Sequence, residues 1–200
     1  MNCPMSRYFE DSFLEKFVVL EWRHPLAILD REFHEEFSDI KEVLSTFELR
    51  KSNIVKGGGG KSAISGFLDS ELYKKGWVEK NFEIEILIDK ETHETPTHKV
   101  DCVKGRIALD IEWNNKTEFY DRDLNNFRLL HGLGAISVGI IVTRTTELQT
   151  EVFKPLGIGA KYGASTTHLN KLIPKIEGGG AGGCPVLVLG VKPEAYVEDC

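Results

Sequence analysis

The spacing of apolar residues changes along the chain, and the change separates a helical part from an extended part. Within residues 24–47, apolar side chains recur at intervals of three and four, which is the pattern of an amphipathic helix. The sequence therefore predicts a helical N-terminal part over residues 1–55. The glycine run 57–60 ends this pattern, and a second helix is predicted at Gly66–Lys75, with Gly76 as its C-terminal cap.

After this helix the pattern becomes mostly extended. Residues 77–89 alternate between polar and apolar side chains and predict a strand, whereas the polar residues 91–99 predict a loop. Three further strands are predicted, at about Arg106–Trp113, Ala135–Val142 and Val186–Val191.

A predicted helix, Asp121–His131, separates the first two of these three strands. A strand, a helix and a second buried strand in succession indicate a parallel crossover, which is the unit of α/β proteins. The fold class expected from the sequence is therefore α/β, with a central mixed sheet flanked by helices. The length of 200 residues favours a single domain, 1–200.

Composition and charge narrow the possible functions. The formal net charge of −6 argues against a protein that coats nucleic acid without specificity, although a local basic face remains possible. The apolar runs are far shorter than the roughly 20 residues of a membrane helix, and the N-terminus lacks the apolar region of a signal peptide. The four cysteines form no CxxC pair, which argues against a zinc ribbon. We expect a cytoplasmic protein with free thiols and no membrane partner.

Two glycine runs suggest nucleotide binding, but neither has the required context. The run 57–60 precedes Lys61 and Ser62 as in a phosphate-binding P-loop, yet Val55 occupies the position of the first glycine of that motif. The run 178–183 has no strand before it, so a dinucleotide-binding fold is not supported. The first run is better interpreted as a flexible loop, or as one that orders over a ligand backbone.

Two acidic residues interrupt the predicted strand "RIALDIEW". Because side chains alternate across a strand, Asp110 and Glu112 share one face, about 7 Å apart. Two carboxylates at this distance repel each other and are costly to desolvate, unless the face is wet or paired with lysines. A hard divalent cation resolves the conflict, because it prefers oxygen ligands, and Asp101 is positioned to supply a third carboxylate.

The order of these motifs resembles a known enzyme group. Across about residues 66–192, the chain resembles the PD-(D/E)xK type II restriction endonucleases, in particular the small enzymes of the BglII, BstYI and BamHI group. The similar segments are, in order, "GWVEKNFEIEI", "VDCVKGRIALDIEW", "FYDRDLNNFRLLHGLGAISVGIIV" and "GGGAGGCPVLVLGV". The resemblance implies a restriction-endonuclease-like catalytic core over about residues 66–192, in a homodimer that cuts both strands of a palindromic DNA site.

The resemblance also implies roles for individual residues. Asp101 matches the first metal ligand, Asp110 the second acid, and the carbonyl of Ile111 a further ligand. Glu112 occupies the position at which many members of the superfamily carry lysine, so it either deprotonates water or only holds a metal-bound water. Glu79 is a fourth catalytic candidate, or alternatively a surface residue of a strand. The implied cofactor is Mg²⁺, for which Mn²⁺ can substitute.

The implied substrate is double-stranded DNA, cut to leave 5′-phosphate and 3′-hydroxyl ends. Residues 152–176 contain no acidic side chain, and this segment would face the DNA. The candidates for base or phosphate contact are Lys161, Ser165, Thr166, Thr167 and His168. The resemblance also implies a companion DNA methyltransferase and favours a six-base site with a GATC centre. The dimer interface is expected on the helix Asp121–His131 or on the N-terminal helix.

Three alternatives remain at this point. A PD-(D/E)xK nuclease of looser specificity, from repair or from a mobile element, has the same motifs. A catalytically inactive DNA-binding relative has the same scaffold, although the presence of all three acids argues against it. An α/β protein that binds metal without nuclease activity accounts for the acids alone.

Overall fold

A computed structural model describes residues 4–55, 61–95 and 97–199 of the chain. Its long helices lie where the apolar period of three and four was found, and the fold is the mixed α/β arrangement that the sequence predicts. The helices of this part of the chain are α1 (Asp11–Lys16), α2 (Pro25–Glu32), α3 (His34–Ser45), α4 (Lys51–Val55), α5 (Ala63–Lys74), α6 (Glu118–Gly132) and α7 (Leu169–Glu177).

A mixed sheet forms the centre of the fold, in the strand order β1-β9-β8-β7-β6-β3. Strands β7, β8 and β9 are parallel, while β1, β6 and β3 pair with their neighbours in antiparallel fashion. The strand bounds are β1 (Phe17–Trp22), β2 (Leu49–Arg50), β3 (Val78–Lys80), β4 (Ile84–Ile88), β5 (Glu91–Thr95), β6 (Val100–Lys104), β7 (Ile107–Ile111), β8 (Val138–Arg144), β9 (Val186–Val191) and β10 (Tyr196–Val197).

Helices cover both faces of this sheet. Helix α6 connects β7 to the parallel strand β8, so the predicted crossover is confirmed. Helices α6 and α7 pack on one face, together with Ala108 of β7. The helices of the N-terminal part pack on the other face, together with Ile107, Leu109 and Ile111. Alternate residues of β7 therefore enter different cores, as the strand period requires.

The expectation of a wholly helical N-terminal part is wrong for residues 17–22. These residues form the edge strand β1, which pairs antiparallel with β9. The segment "FVVLEW" is rich in β-branched and aromatic residues, and β9 offers it a free edge for hydrogen bonding. The strand is a long-range pairing, so the local helical period on either side of it gave no sign of its partner.

The expectation for residues 77–99 also needs correction. The predicted single strand is divided: β3 joins the central sheet, whereas β4 forms a separate hairpin with β5. The expected loop therefore contains β5. Asp89 and Lys90 turn the hairpin with φ of 50° and 71°, the left-handed pair that a two-residue hairpin loop requires. This turn lacks the Asn-Gly or Asp-Gly pair that signals such a loop in a sequence.

Two other expectations concern nucleotide and membrane binding. The glycine run 57–60 lies outside the described residues. Among the helices that are described, none is both long and apolar enough to cross a membrane.

Candidate active site

Asp101 and Asp110 face each other across the antiparallel strands β6 and β7. Cys102 pairs with Leu109, so the next pair toward the end of the sheet is Asp101 with Asp110. The N–H of Asp101 donates to Oδ1 of Asp110 at 3.0 Å, and the N–H of Ile111 donates to Oδ2 of Asp101 at 3.0 Å. Each carboxylate is thereby fixed to the backbone of the strand opposite.

The backbone of Ile111 faces this pair of acids. In an extended strand, the N–H and the C=O of one residue point toward the same neighbouring strand. Because the N–H of Ile111 reaches Asp101, its carbonyl points toward the Asp101 side as well. The arrangement brings together the two carboxylates and the carbonyl that were predicted as metal ligands.

Glu112 lies just beyond the end of β7, on the same face as Asp110, and is only 2% exposed. Asn115 donates from Nδ2 to Oε2 of Glu112 at 2.9 Å, and Arg122 donates from Nη2 to Oε1 at 3.4 Å. Thr143 of β8 donates from its hydroxyl to the carbonyl of Glu112 at 3.0 Å. Helix α6, strand β8 and the turn after β7 therefore all position this residue.

Asp123 of α6 adds a further buried carboxylate beside Glu112. It is 2% exposed, and its Oδ1 accepts from Nε of Arg122 at 2.9 Å. Its Oδ2 has no hydrogen-bond partner among the described residues, and interaction with Asp123 contributes to the raised pKa of Glu112. Arg122 is thus the cation shared by both acids.

Burial raises the pKa of every carboxyl group in this cluster. The pKa of Glu112 is raised to about 10, first by burial and then by the charge of Asp123. Burial, then the charges of Asp123 and Asp101, raises the pKa of Asp110 well above its ordinary value. The pKa of Asp101 is raised by burial despite its backbone hydrogen bond. Buried carboxylates with raised pKa values and like-charged neighbours are typical of functional sites.

The predicted DNA-binding residues lie in one segment beside this cluster. Ser165 is exposed and Thr166 is half-buried. Lys161 is half-buried and donates to the carbonyl of Ile54 at 3.0 Å. Thr167 is fully buried, and His168 is 8% exposed with its Nδ1 2.8 Å from the hydroxyl of Thr146.

The sequence model of the BglII/BglIII restriction endonuclease family matches residues 17–191. The chain belongs to this family. It is a restriction endonuclease, a site-specific deoxyribonuclease that acts on DNA. A comparison with curated proteins found no significant match.

The cluster in this BglII-family chain suits a hard metal by its chemistry, but the side chains do not form a closed cage. Among the described residues, no three His, Cys, Asp or Glu side chains are grouped so that they hold a metal ion. The reason is visible in the hydrogen bonds, since Asp101 and Asp110 contact backbone N–H groups while Glu112 faces Asn115 and Arg122. The atoms of these acids that could bind a metal ion are all oxygen atoms, which Mg²⁺ prefers as ligands.

Two residues of α5 approach the strands of the acid cluster from the other face of the sheet. Asp69 is 2% exposed, forms an ion pair with Lys61 and accepts a weak hydrogen bond from the Cys102 thiol at 3.4 Å. Tyr73 donates from its hydroxyl to the carbonyl of Asp101 at 3.0 Å. The charge of Asp69 contributes to the raised pKa of Asp101.

The sequence analysis did not identify Asp69 or Asp123. Each is an acid within the apolar stripe of its helix: Asp69 follows Leu68, and Asp123 precedes Leu124. An acid at such a position is a signal that sequence inspection can find. Arg122 and Asn115 offered no comparable signal.

Glu79 lies on the strand beside Asp101, between the pairs Val78–Val103 and Lys80–Val100, but its side chain is exposed. It belongs to β3 at the edge of the sheet and forms an exposed ion pair with Lys99 at 2.9 Å. Its exposure favours the alternative of a surface strand residue.

Proposed function

We propose that the chain is a type II restriction endonuclease that hydrolyses double-stranded DNA at a short palindrome in a reaction that requires a divalent metal ion. The observation that carries the proposal is the cluster of Asp110 and Glu112, buried at the end of β7, with the half-buried Asp101 opposite them on β6, all three with raised pKa values. The family match supports site-specific cleavage over a nuclease of looser specificity.

Asp101, Asp110 and the carbonyl of Ile111 would hold the metal ion, which we propose to be Mg²⁺, with Mn²⁺ as a substitute. When bound, such an ion polarises a phosphate oxygen and lowers the pKa of water. Its charge also favours the ionised form of both aspartates, which burial opposes. We assign Glu79 to a surface ion pair and leave it out of the catalytic group.

Glu112 is proposed to orient the attacking water. Asn115 and Arg122 each donate a hydrogen bond to one of its two oxygens, and these two bonds hold the carboxyl group in place. In-line attack on the phosphorus leaves a 5′-phosphate and a 3′-hydroxyl. No covalent intermediate with the protein is needed, because water is the nucleophile.

The segment Lys161–Thr166 is proposed to contact the DNA. Ser165 is exposed and offers an accessible hydroxyl, whereas the hydroxyl of the half-buried Thr166 accepts from Arg144 and donates to the carbonyl of Gly163, both at 2.8 Å. The role of Thr167 and His168 is revised from direct contact to support of the segment, because both are buried and hydrogen-bonded within the protein.

A symmetric dimer is part of the proposal, because one chain offers one acid cluster and a palindrome has two-fold symmetry. Static light scattering should give the mass of two chains at micromolar concentration, with or without DNA. A monomer under both conditions would contradict it. A companion methyltransferase follows from the same proposal, since the host's own sites need protection.

The experiment is digestion of a supercoiled plasmid with Mg²⁺, Mn²⁺ or excess EDTA. Discrete fragments with either metal and no cleavage in EDTA are expected, and end-labelling should find 5′-phosphates. A smear would indicate a nuclease of looser specificity. Full activity in EDTA would exclude the metal-dependent mechanism.

A further inference from the structure

The turn after β7 is fastened to the proposed DNA-binding segment. The N–H of Thr167 donates to the carbonyl of Asn115 at 2.8 Å, and the N–H of Asn115 donates to the hydroxyl of Thr167 at 3.1 Å. The N–H of Thr117 donates to the carbonyl of Ser165 at 3.2 Å. Lys116 and Thr166 form an antiparallel bridge between these contacts. The two stretches therefore move as one short two-stranded unit.

The same turn also holds the catalytic strand. Asn115 donates from Nδ2 to Oε2 of Glu112 at 2.9 Å, while its backbone makes both hydrogen bonds to Thr167. The amide can only donate in this geometry, because its oxygen would repel the carboxylate. One residue therefore contacts both the acid of the active site and the segment that is proposed to meet DNA.

We propose that Asn115 is a positioning residue that couples engagement of DNA by the segment Lys161–Thr166 to the placement of Glu112. The inference rests on the proposed role of this segment. DNA that fits the segment holds Thr167 against Asn115, and the Asn115 amide then keeps Glu112 in the orientation needed for attack. DNA that fits poorly leaves the turn less constrained.

With this coupling, a matched and a poorly matched DNA site differ mainly in the rate of cleavage. A poorly matched site can still bind through phosphate contacts, which carry no sequence information. It then lacks the contact that orders the turn, so Glu112 is misplaced and cleavage is slow. An interaction that matters mainly in the transition state lowers kcat more than it raises KM.

The conformation of the turn supports this role. Asn114 has a φ of 63°, in the left-handed region that few residues other than glycine and asparagine adopt. The pairing with residues 165–167 holds the turn in this shape. Loosening of that pairing would remove the hydrogen bonds that fix the Asn115 backbone, and with them the restraint on its amide beside Glu112.

The test compares Asn115→Ala, Thr167→Val and Thr167→Ser with Asn81→Ala as the matched control. Asn81 is exposed between β3 and β4 and contacts Thr97, outside this network and outside the helices expected at the dimer interface. The measurements are single-turnover cleavage with saturating enzyme and DNA affinity without metal, on protein with unchanged melting temperature.

Asn115→Ala is expected to slow single-turnover cleavage of the preferred site by about 10- to 100-fold, while affinity changes less than about 3-fold. Thr167→Val should act in the same direction, and the double variant should be no slower than Asn115→Ala alone, because both remove one connection. Thr167→Ser keeps the hydroxyl acceptor and should cleave at nearly the normal rate, as should Asn81→Ala.

Three results would overturn the inference. They are a normal cleavage rate in both Asn115→Ala and Thr167→Val, a loss confined to DNA affinity, and fully additive losses in the double variant. If Asn115→Ala does not fold, the comparison of Thr167→Val with Thr167→Ser decides the question alone. A wild-type protein that cleaves no DNA would instead refute the proposed function.

Discussion

The ends of β7 and β8 both carry buried charge, of opposite sign and on opposite faces of the sheet. Glu112 follows β7 on the α6 face, and Arg144 ends β8 on the face of the N-terminal helices. Burial shifts both toward their neutral forms, raising the pKa of Glu112 to about 10 and lowering that of Arg144 to about 10. The two residues differ in the groups that contact them.

The surroundings of Glu112 contain more buried carboxyl groups than paired cations. Asp110, Glu112 and Asp123 are buried together, and Arg122 forms ion pairs with Glu112 and Asp123. An acid cluster of this kind gains most from a ligand of opposite charge. Its electrostatics therefore agree with a site that receives a cation.

The surroundings of Arg144 are internal and fixed. Its Nη2 donates to the hydroxyl of Thr166 at 2.8 Å and to the carbonyl of Tyr162 at 3.4 Å. Its guanidinium also lies 5.6 Å from the ring centre of Phe153 and 5.9 Å from that of Tyr162. This cation holds the segment beside the acids. Buried charged residues therefore form the candidate active site on one face of the sheet, and on the other face Arg144 supports the neighbouring segment.

The largest effect is expected on the acid side. Asp101→Asn should lower cleavage at least about 100-fold, because loss of charge stabilisation in the transition state costs on the order of 3 kcal/mol. Glu79→Gln should lower it less than about 3-fold, since an exposed ion pair contributes little. Initial cleavage rates of the two variants decide whether the active site includes Glu79. Equal losses of cleavage in both variants would contradict the assignment of Asp101, but not Glu79, to the active site.

An intermediate effect is expected on the arginine side. Arg144→Met keeps a long side chain but loses the contacts to Thr166 and Tyr162, so DNA affinity should fall about 10-fold, or about 1.4 kcal/mol. Removing an unpaired buried charge should cost little stability. Hydrogen exchange should show a faster exchange of the Thr167 amide. Unchanged exchange and affinity would show that Arg144 does not support the segment.

The smallest effect concerns His168. Burial, followed by the charges of Arg144 and Lys171, lowers its pKa below the ordinary 6.5. Since the folded state favours neutral His168, its contribution to stability is present above pH 6.5 and is lost as the pH falls through the lowered pKa. Wild-type protein should therefore lose more melting temperature than His168→Gln between about pH 7.5 and about pH 5. Parallel curves would contradict this.

The sequence predicted the elements whose signal is local. The alternation in β7 placed Asp110 and Glu112 on one face opposite Ile111, and the structure has this arrangement. Helix α6 and the strands β8 and β9 followed from periodicity in the same way. The roles of Asp101, Asp110 and Glu112 in catalysis stay predictions.

Contacts between distant parts of the chain were not predictable. The strand β1 depends on β9, which lies far along the chain, and Asn115 meets Thr167 across 52 residues. No periodicity encodes such pairings, because they depend on how elements pack. The burial of Thr167 and His168 escaped prediction for this reason, since a polar segment without acids suggests exposure.

The measurement that tests the central claim most directly is the Asp110→Asn variant, assayed for cleavage in Mg²⁺ and for DNA affinity in EDTA. The substitution keeps the oxygen that accepts the Asp101 N–H, and it removes one charge and one strong ligand. With an unchanged melting temperature, cleavage should fall at least about 100-fold, while affinity in EDTA stays equal or increases because repulsion of the phosphate is reduced. Near-normal cleavage by this variant would contradict the assignment of β7 as the catalytic strand.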